Sequence, residues 1–327
     1  MTFPRRVILV PLLLLASTAV VLLLIWATAP AISLFHPPDL EQSEQPGFTV
    51  LTANVGNGDP RCVFQRLKLC RSAVEARLTD SLAELRPEVV ALQETLPDHL
   101  CEGVPPVNNG HVCSEEHTRP QVRRLLGPDY SIVCEESNLI ECIGVRTDVG
   151  EILGCELGGL CMSDRVVTIA PGCRTHLTVF AATVKVRGRT FDIVNAHPEN
   201  RSAECRLDSL QQVFEGDMIR EEQALVLGDL NLDPWRGDDV STEYWNKQVG
   251  PAETHAFYYH SGPAERVPPH PTIFYPLFRR TLDHVVSNFL AGTMLTLGEA
   301  EGTVRLDGGG GTDHRALYGW LTFPEED

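Results

Sequence analysis

Residues 224–235 read ALVLGDLNLDPW, and the meaning of this stretch decides the fold. A short apolar run stops at Gly228 and then presents Asp229 and Asn231, two positions apart. A run bounded by Gly and Pro in this way has the form of a buried strand, and on a strand or its extended exit the i and i+2 side chains share a face. One carboxylate and one amide would then point the same way at a strand's end. Gly, Asp, Asn and Pro are also turn residues, so the stretch taken alone is equally a turn. Recurrence of the pattern along the chain decides for the strand.

Working outward, residues 48–53 form a β-prone run that ends at Asn54, and residues 89–92 form a second that delivers Gln93 and Glu94. Residues 177–186 and 190–195 read as a hairpin about Arg187 and Gly188, whose second strand leads to His197. A strand over 281–287 carries Asp283, and Thr312, Asp313 and His314 precede a closing strand over 316–323. Val63, Leu67, Cys70, Val74, Leu78, Leu82 and Leu85 make the stripe of an amphipathic helix that Pro87 ends. A second helix is expected over 203–220. Residues 97–176 read as loop-rich, with short strands near 131–134 and 142–146. Strands alternating with helices argue an α/β fold with antiparallel hairpins mixed in.

Asn54, Glu94, His197 and Asp229 each sit just past an apolar run, and in layered α/β proteins ligands bind outside strand ends. Glu94 and Asp229 are hard oxygen donors that suit Mg²⁺ together with the carbonyl of Asn54, with Mn²⁺ as a substitute. His197 and His314 can move protons near neutral pH. A metal, carboxylates and histidines without a nucleophilic serine or cysteine suggest metal-assisted attack of water on phosphorus.

The formal net charge of −17 does not suit a protein that grips nucleic acid through a broad basic surface, so a phosphate-bearing substrate must be met locally. After Arg5 and Arg6, residues 7–29 are apolar apart from Ser17 and Thr18, long enough to cross a bilayer. A cleaved signal peptide competes, because 27–29 and 29–31 have the small-x-small form of a cleavage site. The length of the apolar run favours an uncleaved anchor over 1–29, then a linker over 30–46 and a catalytic domain over 47–327 held outside the cytoplasm. Secretion after cleavage is the alternative. Ten cysteines lie between Cys62 and Cys205 without a Cys-x-x-Cys pair, which argues disulfides in an oxidising compartment. A metal cluster of His111, Cys113 and His117 is the lesser reading of that loop. Neither connectivity nor oligomeric state can be read from the chain.

At this point the sequence resembles the endonuclease/exonuclease/phosphatase superfamily, with its DNase I-like fold, over about residues 47–324. The matching pieces are TANVG at 52–56, ALQET at 91–95, VNAHPE at 194–199, LGDLNLDP at 227–234, LDHV at 282–285 and TDH at 312–314. The resemblance implies a four-layer sandwich of two mostly antiparallel sheets flanked by helices, with the site at one edge. It implies that Glu94 is the principal metal ligand, assisted by Asn54 and Asp313. His314, oriented by Asp283, would be the general base, Asp229 and Asn231 would position nucleophile and phosphate, and His197 would contact the scissile phosphate or protonate the leaving group. Asp229 thereby moves from metal ligand to orienting residue.

Nine of the eleven histidines, His284 among them, stay outside the site. The glycines at 308–311 lack a following GKS or GKT and read as a connection. Arg146 and Arg165 could meet phosphate, although an ion-paired or solvated role is the commoner fate of arginine. Residues 271–288 resemble nuclease-like members; there Arg279 and Arg280 could touch a phosphate backbone, and Phe274, Tyr275 or Phe278 could stack on a base or fill the core. The expected activity is therefore a phosphodiesterase acting on nucleic acid. Rivals are a sphingomyelinase-like phospholipid hydrolase at the membrane and a catalytically silent binding module.

Overall fold

A computed structural model describes residues 45–56, 72–96, 119–135, 140–175, 177–260, 272–275, 278–297, 299–300, 303–304 and 314–325. In chain order the first half gives β1 (Gly47–Asn54), α1 (Ser72–Leu85), β2 (Val89–Gln93), α2 (Gln121–Leu126), β3 (Tyr130–Glu135), β4 (Cys142–Arg146), β5 (Gly150–Ile152) and β6 (Leu160–Ser163). Then follow β7 (Val179–Val186), β8 (Arg189–Ala196), α3 (Ala203–Phe214), β9 (Ala224–Asp229), α4 (Val240–Gln248), β10 (Val249–Gly250) and β11 (Phe257–Tyr259). The last part holds β12 (Ile273–Tyr275), β13 (Phe278–Arg280), β14 (Asp283–Ser287), β15 (Ala291–Thr296), β16 (Glu299–Ala300), β17 (Thr303–Val304) and β18 (Leu317–Thr322).

Alternation along the strands builds the layers. In β1, Phe48 and Val50 point into one apolar cluster while Leu51 and Ala53 point into another, the period of two expected of a strand buried on both faces. The first cluster lies between two seven-stranded sheets, ordered β15-β18-β1-β2-β4-β3-β6 and β10-β11-β14-β9-β8-β7-β5. The second fills the gap to α1 and α2, through Leu78, Leu82 and Leu125. A third joins Val194 and Val226 of the other sheet to Leu210 of α3 and Trp245 of α4. Both sheets are mixed: β1–β2, β3–β6, β8–β9 and β10–β11 run parallel among otherwise antiparallel neighbours. The expected hairpin has a two-residue turn with positive φ at both Arg187 and Gly188, the turn whose twist matches paired strands.

Three expectations shift. The helix expected over 203–220 stops at Phe214, just before Gly216, a poor helix former, and the chain beyond is held by the buried Asp192 carboxylate, which accepts from the amides of Arg220 and Glu221 at 2.6 and 2.8 Å. Helix α4 lies where only Pro- and aromatic-rich sequence is visible; Asp239 caps it by accepting from the amides of Ser241 and Thr242. Strands β5 and β6 lie inside the stretch read as loops. Three disulfides, Cys134–Cys142, Cys155–Cys161 and Cys173–Cys205, staple the described residues. The anchor, nearly all of the linker, Asp313, the glycines at 308–311, the His111–Cys113–His117 group and the remaining four cysteines lie outside the described residues. Among the described residues no helix is long and apolar enough to cross a membrane.

Candidate active site

The site forms along one edge of the paired sheets, where parallel strands end and their antiparallel neighbours begin. Asn54 closes β1 and Glu94 follows β2, both in the first sheet. His197 follows β8 and Asp229 closes β9 in the second. Asp283 opens β14 directly opposite Asp229, and His314 precedes β18. Backbone turns aim these side chains: Glu94 and Asn231 both take positive φ, at 58° and 51°, a conformation held only where surroundings impose it. Gly228 sits at φ 137°, and a Cβ there would lie 2.2 Å from the carbonyl oxygen of Ala196. Only glycine lets β9 lie this close to β8 just before Asp229.

One carboxylate oxygen is the meeting point. Oδ2 of Asp229 accepts from Nδ2 of Asn54 at 2.9 Å, and it lies 3.6 Å from Nε2 of His197 and 3.5 Å from Nε2 of His314. Each imidazole is braced behind by a buried acid: Nδ1 of His314 meets Oδ2 of Asp283 at 2.8 Å, and Nδ1 of His197 meets Oε1 of Glu141 at 2.7 Å. Glu94 reaches in from the first sheet, 3.2 Å from Nδ2 of Asn54 and 3.8 Å from Nε2 of His197. Asn54 thus presents its amide nitrogen, not its oxygen, to both carboxylates, because the oxygen accepts from the amide of Gly56 at 2.9 Å. The amide of Asn231 donates to Oδ1 of Asp229 at 3.0 Å, while its side chain donates to the Pro198 carbonyl at 3.1 Å.

Burial and charge set the protonation. Burial raises the Asp229 carboxyl, and the Asp283 charge adds to that push against the pull of both histidines. Burial alone would lower His197, yet Glu141, Asp229 and Glu94 outweigh it and lift the imidazole to about 9. Burial pushes the Glu141 carboxyl up against the attraction of His197. The donor set suits a hard divalent cation. Asp229, Asp283 and His314 each offer a ligand atom within 4.8 Å of the others, but Asp283 and His314 are bonded to each other at 2.8 Å, which leaves the oxygens of Glu94 and Asp229 as the hard donors facing the site. Glu94, with 21% of its side chain exposed, is the carboxylate a solvated ion can reach first.

Asn54, Glu94, His197, Asp229, Asn231, Asp283 and His314 are therefore brought together, while Asp313 lies outside the described residues. Glu141 is the partner the sequence did not reveal. Arg165 is ion-paired to Asp192 at 2.8 Å inside the second sheet, and Arg146 is bonded to Asp148 and Glu88 away from the site. His284 is fully buried among Trp235, Trp245 and Tyr259.

The model of the Endonuclease/Exonuclease/phosphatase family matches residues 51–314. The chain belongs to this family. Membership supports hydrolase chemistry, and the fold is shared with solved members. D. rerio TDP2 complexed with single strand DNA product superposes with a TM-score of 0.54 at 14% identity, over 84% of this chain and 99% of that one. ANGEL2, a 2′,3′-cyclic phosphatase, in complex with adenosine-2′,3′-vanadate gives 0.56 at 13% identity, over 88% and 98%. A Bacteroides thetaiotaomicron VPI-5482 mannosyl-6-phosphatase gives 0.53 at 14% identity, over 84% and 100%. No curated protein sequence matches the chain. Members so distant share the family's fold while taking different phosphate esters.

Proposed function

We propose that the chain is a divalent-metal-dependent phosphodiester hydrolase whose substrate is nucleic acid. The observation that carries this reading is the convergence of Asn54, His197 and His314 on one oxygen of Asp229, with each imidazole backed by a buried acid. His314 is the general base: Asp283 holds the proton on Nδ1, which leaves Nε2 bare to take a proton from the attacking water. Asp229 and Asn231 orient that water and the phosphate. His197, lifted to about 9, is charged at neutral pH and donates from Nε2 to the scissile phosphate or its leaving oxygen. Glu94 with Asp313 would hold Mg²⁺ or Mn²⁺, which when bound would draw charge from the phosphoryl oxygens, while Asn54, expected as a third ligand, turns its amide nitrogen inward and steadies the Glu94 and Asp229 carboxylates instead.

Arg280 supports the choice of nucleic acid. Its side chain, 3.9 Å from the buried Asp233 carboxylate and 44% exposed, stands three positions before Asp283, where its outward-facing edge can meet a flanking phosphate. Residues 1–29 are proposed to anchor the enzyme with its site outside the cytoplasm, a compartment in which the three disulfides persist. The test is a substrate panel on the 327-residue chain, made under oxidising conditions and held in detergent, with Mg²⁺ or with chelator. Cleavage of DNA or RNA that needs Mg²⁺ is expected. Hydrolysis of sphingomyelin vesicles alone would replace nucleic acid with a lipid substrate, and no turnover with no Mg²⁺ binding would leave a silent binding module.

A further inference from the structure

We propose that the Cys134–Cys142 disulfide is a positioning element of the active site, acting on His197 through Glu141. The proposal rests on the place of His197 in the site above. Cys134 and Cys142 are directly opposed residues of β3 and β4, both fully buried, with Cα atoms 4.1 Å apart. Their bond closes the β3–β4 connection at its base, and the residue just inside that clasp is Glu141.

Glu141 has reason to leave. It is a carboxylate with no exposed surface, its Oε2 has no partner among the described residues, and Glu94 and Glu135 both repel its charge. A buried acid satisfied on one oxygen only is drawn towards water. On this side of the clasp the Glu135 amide donates to the Glu141 carbonyl at 3.1 Å, and the Ile140 amide lies 3.4 Å from Oε1 of Glu135. Thr95, the neighbour of Glu94, holds the Ile140 carbonyl from β2, and Nδ2 of Asn195 holds the Cys142 carbonyl at 3.0 Å. These contacts fix the backbone of β4 at Cys142, and the disulfide holds its partner strand to it. Without the sulfur bridge, nothing covalent stops β3 and β4 from parting at the site edge. The Glu141 backbone stays tied through Ile140 and Cys142, but with the Glu135 side released its carboxylate turns towards water, and Nδ1 of His197 loses the acceptor that sets its ring.

The test compares the wild type with Cys134→Ala/Cys142→Val, each alone and combined with Glu141→Gln, on the whole chain. In the variant lacking the Cys134–Cys142 bridge kcat falls about 10- to 100-fold with KM held, the scale of a misplaced catalytic group. Adding Glu141→Gln lowers kcat no further, because both changes remove the same brace. The downfield proton resonance of a carboxylate-bound His197 Nδ1–H, measured at fixed pH, disappears in both. Cys155→Ala/Cys161→Ala, which opens a disulfide elsewhere, keeps activity and resonance. Retained kcat and resonance, or losses that simply add, overturn the proposal. Should the double variant not fold, dithiothreitol on the folded wild type supplies the two electrons and two protons that give two thiols, and thiol labelling with the same resonance decides. The resonance needs no turnover, so it still decides if the panel finds no phosphodiester cleaved and the hydrolase reading fails.

Discussion

Replacing Asp283 by Asn keeps the shape of the site and removes one charge at its base. Asp283 is fully buried, bonds Nδ1 of His314 at 2.8 Å through Oδ2, and donates its backbone amide to the Thr272 hydroxyl oxygen at 3.1 Å. The asparagine can present its NH₂ to Nδ1, which forces the imidazole proton onto Nε2 and blocks proton uptake there. It can instead present its oxygen, which keeps the tautomer and forfeits the charge that steadies the protonated ring. Either way general-base catalysis is crippled, a loss on the order of 10²–10⁴-fold in kcat. At about 1.4 kcal/mol per tenfold change this is about 3–6 kcal/mol of transition-state stabilisation. Because Asp283 has no exposed surface, it cannot touch substrate, and KM should move by less than about 3-fold. Steady-state kinetics on a labelled oligonucleotide with saturating Mg²⁺ would measure both constants, and near-UV circular dichroism would check the fold. Wild-type kcat in a folded Asp283→Asn protein would show that Asp283 does not hold the base.

Other consequences concern stability. Burial depresses His260 to about 4; the unfolded chain, near 6.5, binds the proton first, so His260 supports the fold above that value and ceases to as pH falls from 6.5 towards 4. The cost approaches about 3 kcal/mol by linkage, and His260→Gln should flatten the dependence of Tm on pH across that window. A slope left unchanged would exclude His260 as its source. Asp192 accepts from Arg165, Thr183 and the amides of Arg220 and Glu221, so Asp192→Asn strands the buried Arg165 and should lower stability to urea by about 3–5 kcal/mol; a loss below about 1 kcal/mol would mean that water compensates it. Gly228→Ala drives a Cβ to 2.2 Å from the Ala196 carbonyl oxygen and should yield no cooperative thermal transition, whereas a folded, active variant would refute the close approach of β8 and β9.

Much of the architecture was legible because burial writes a pattern. Apolar runs that stop at a polar residue mark strands entering the sheet core and leaving it at one edge, which is how Asn54, Glu94, His197 and Asp229 can be placed together. Glu141 escapes that rule for a geometric reason. It stands before β4, and because β4 runs antiparallel to β2, the start of β4 lies beside the end of β2. A residue that precedes an antiparallel strand shares the edge with residues that follow its neighbour. Asp283 and His314 occupy such places too, but there LDHV and TDH carry a family resemblance, while LIEC carries none. Helix α4 was hidden because its signals, the Asp239 cap and a single buried Trp245, are too short for periodicity. Disulfide pairing depends on which strands become neighbours, and spacing alone does not reveal that.

The central claim is that a base at His314 and a metal at Glu94 act on one phosphodiester. It is tested most directly by nicking of supercoiled plasmid DNA, comparing the wild type, His314→Ala and Glu94→Ala, each with Mg²⁺ and with chelator. The account predicts nicking by the wild type with Mg²⁺ alone, and a loss of at least about 10²-fold in each variant. Nicking by folded His314→Ala at the wild-type rate, or by the wild type in chelator, would contradict it.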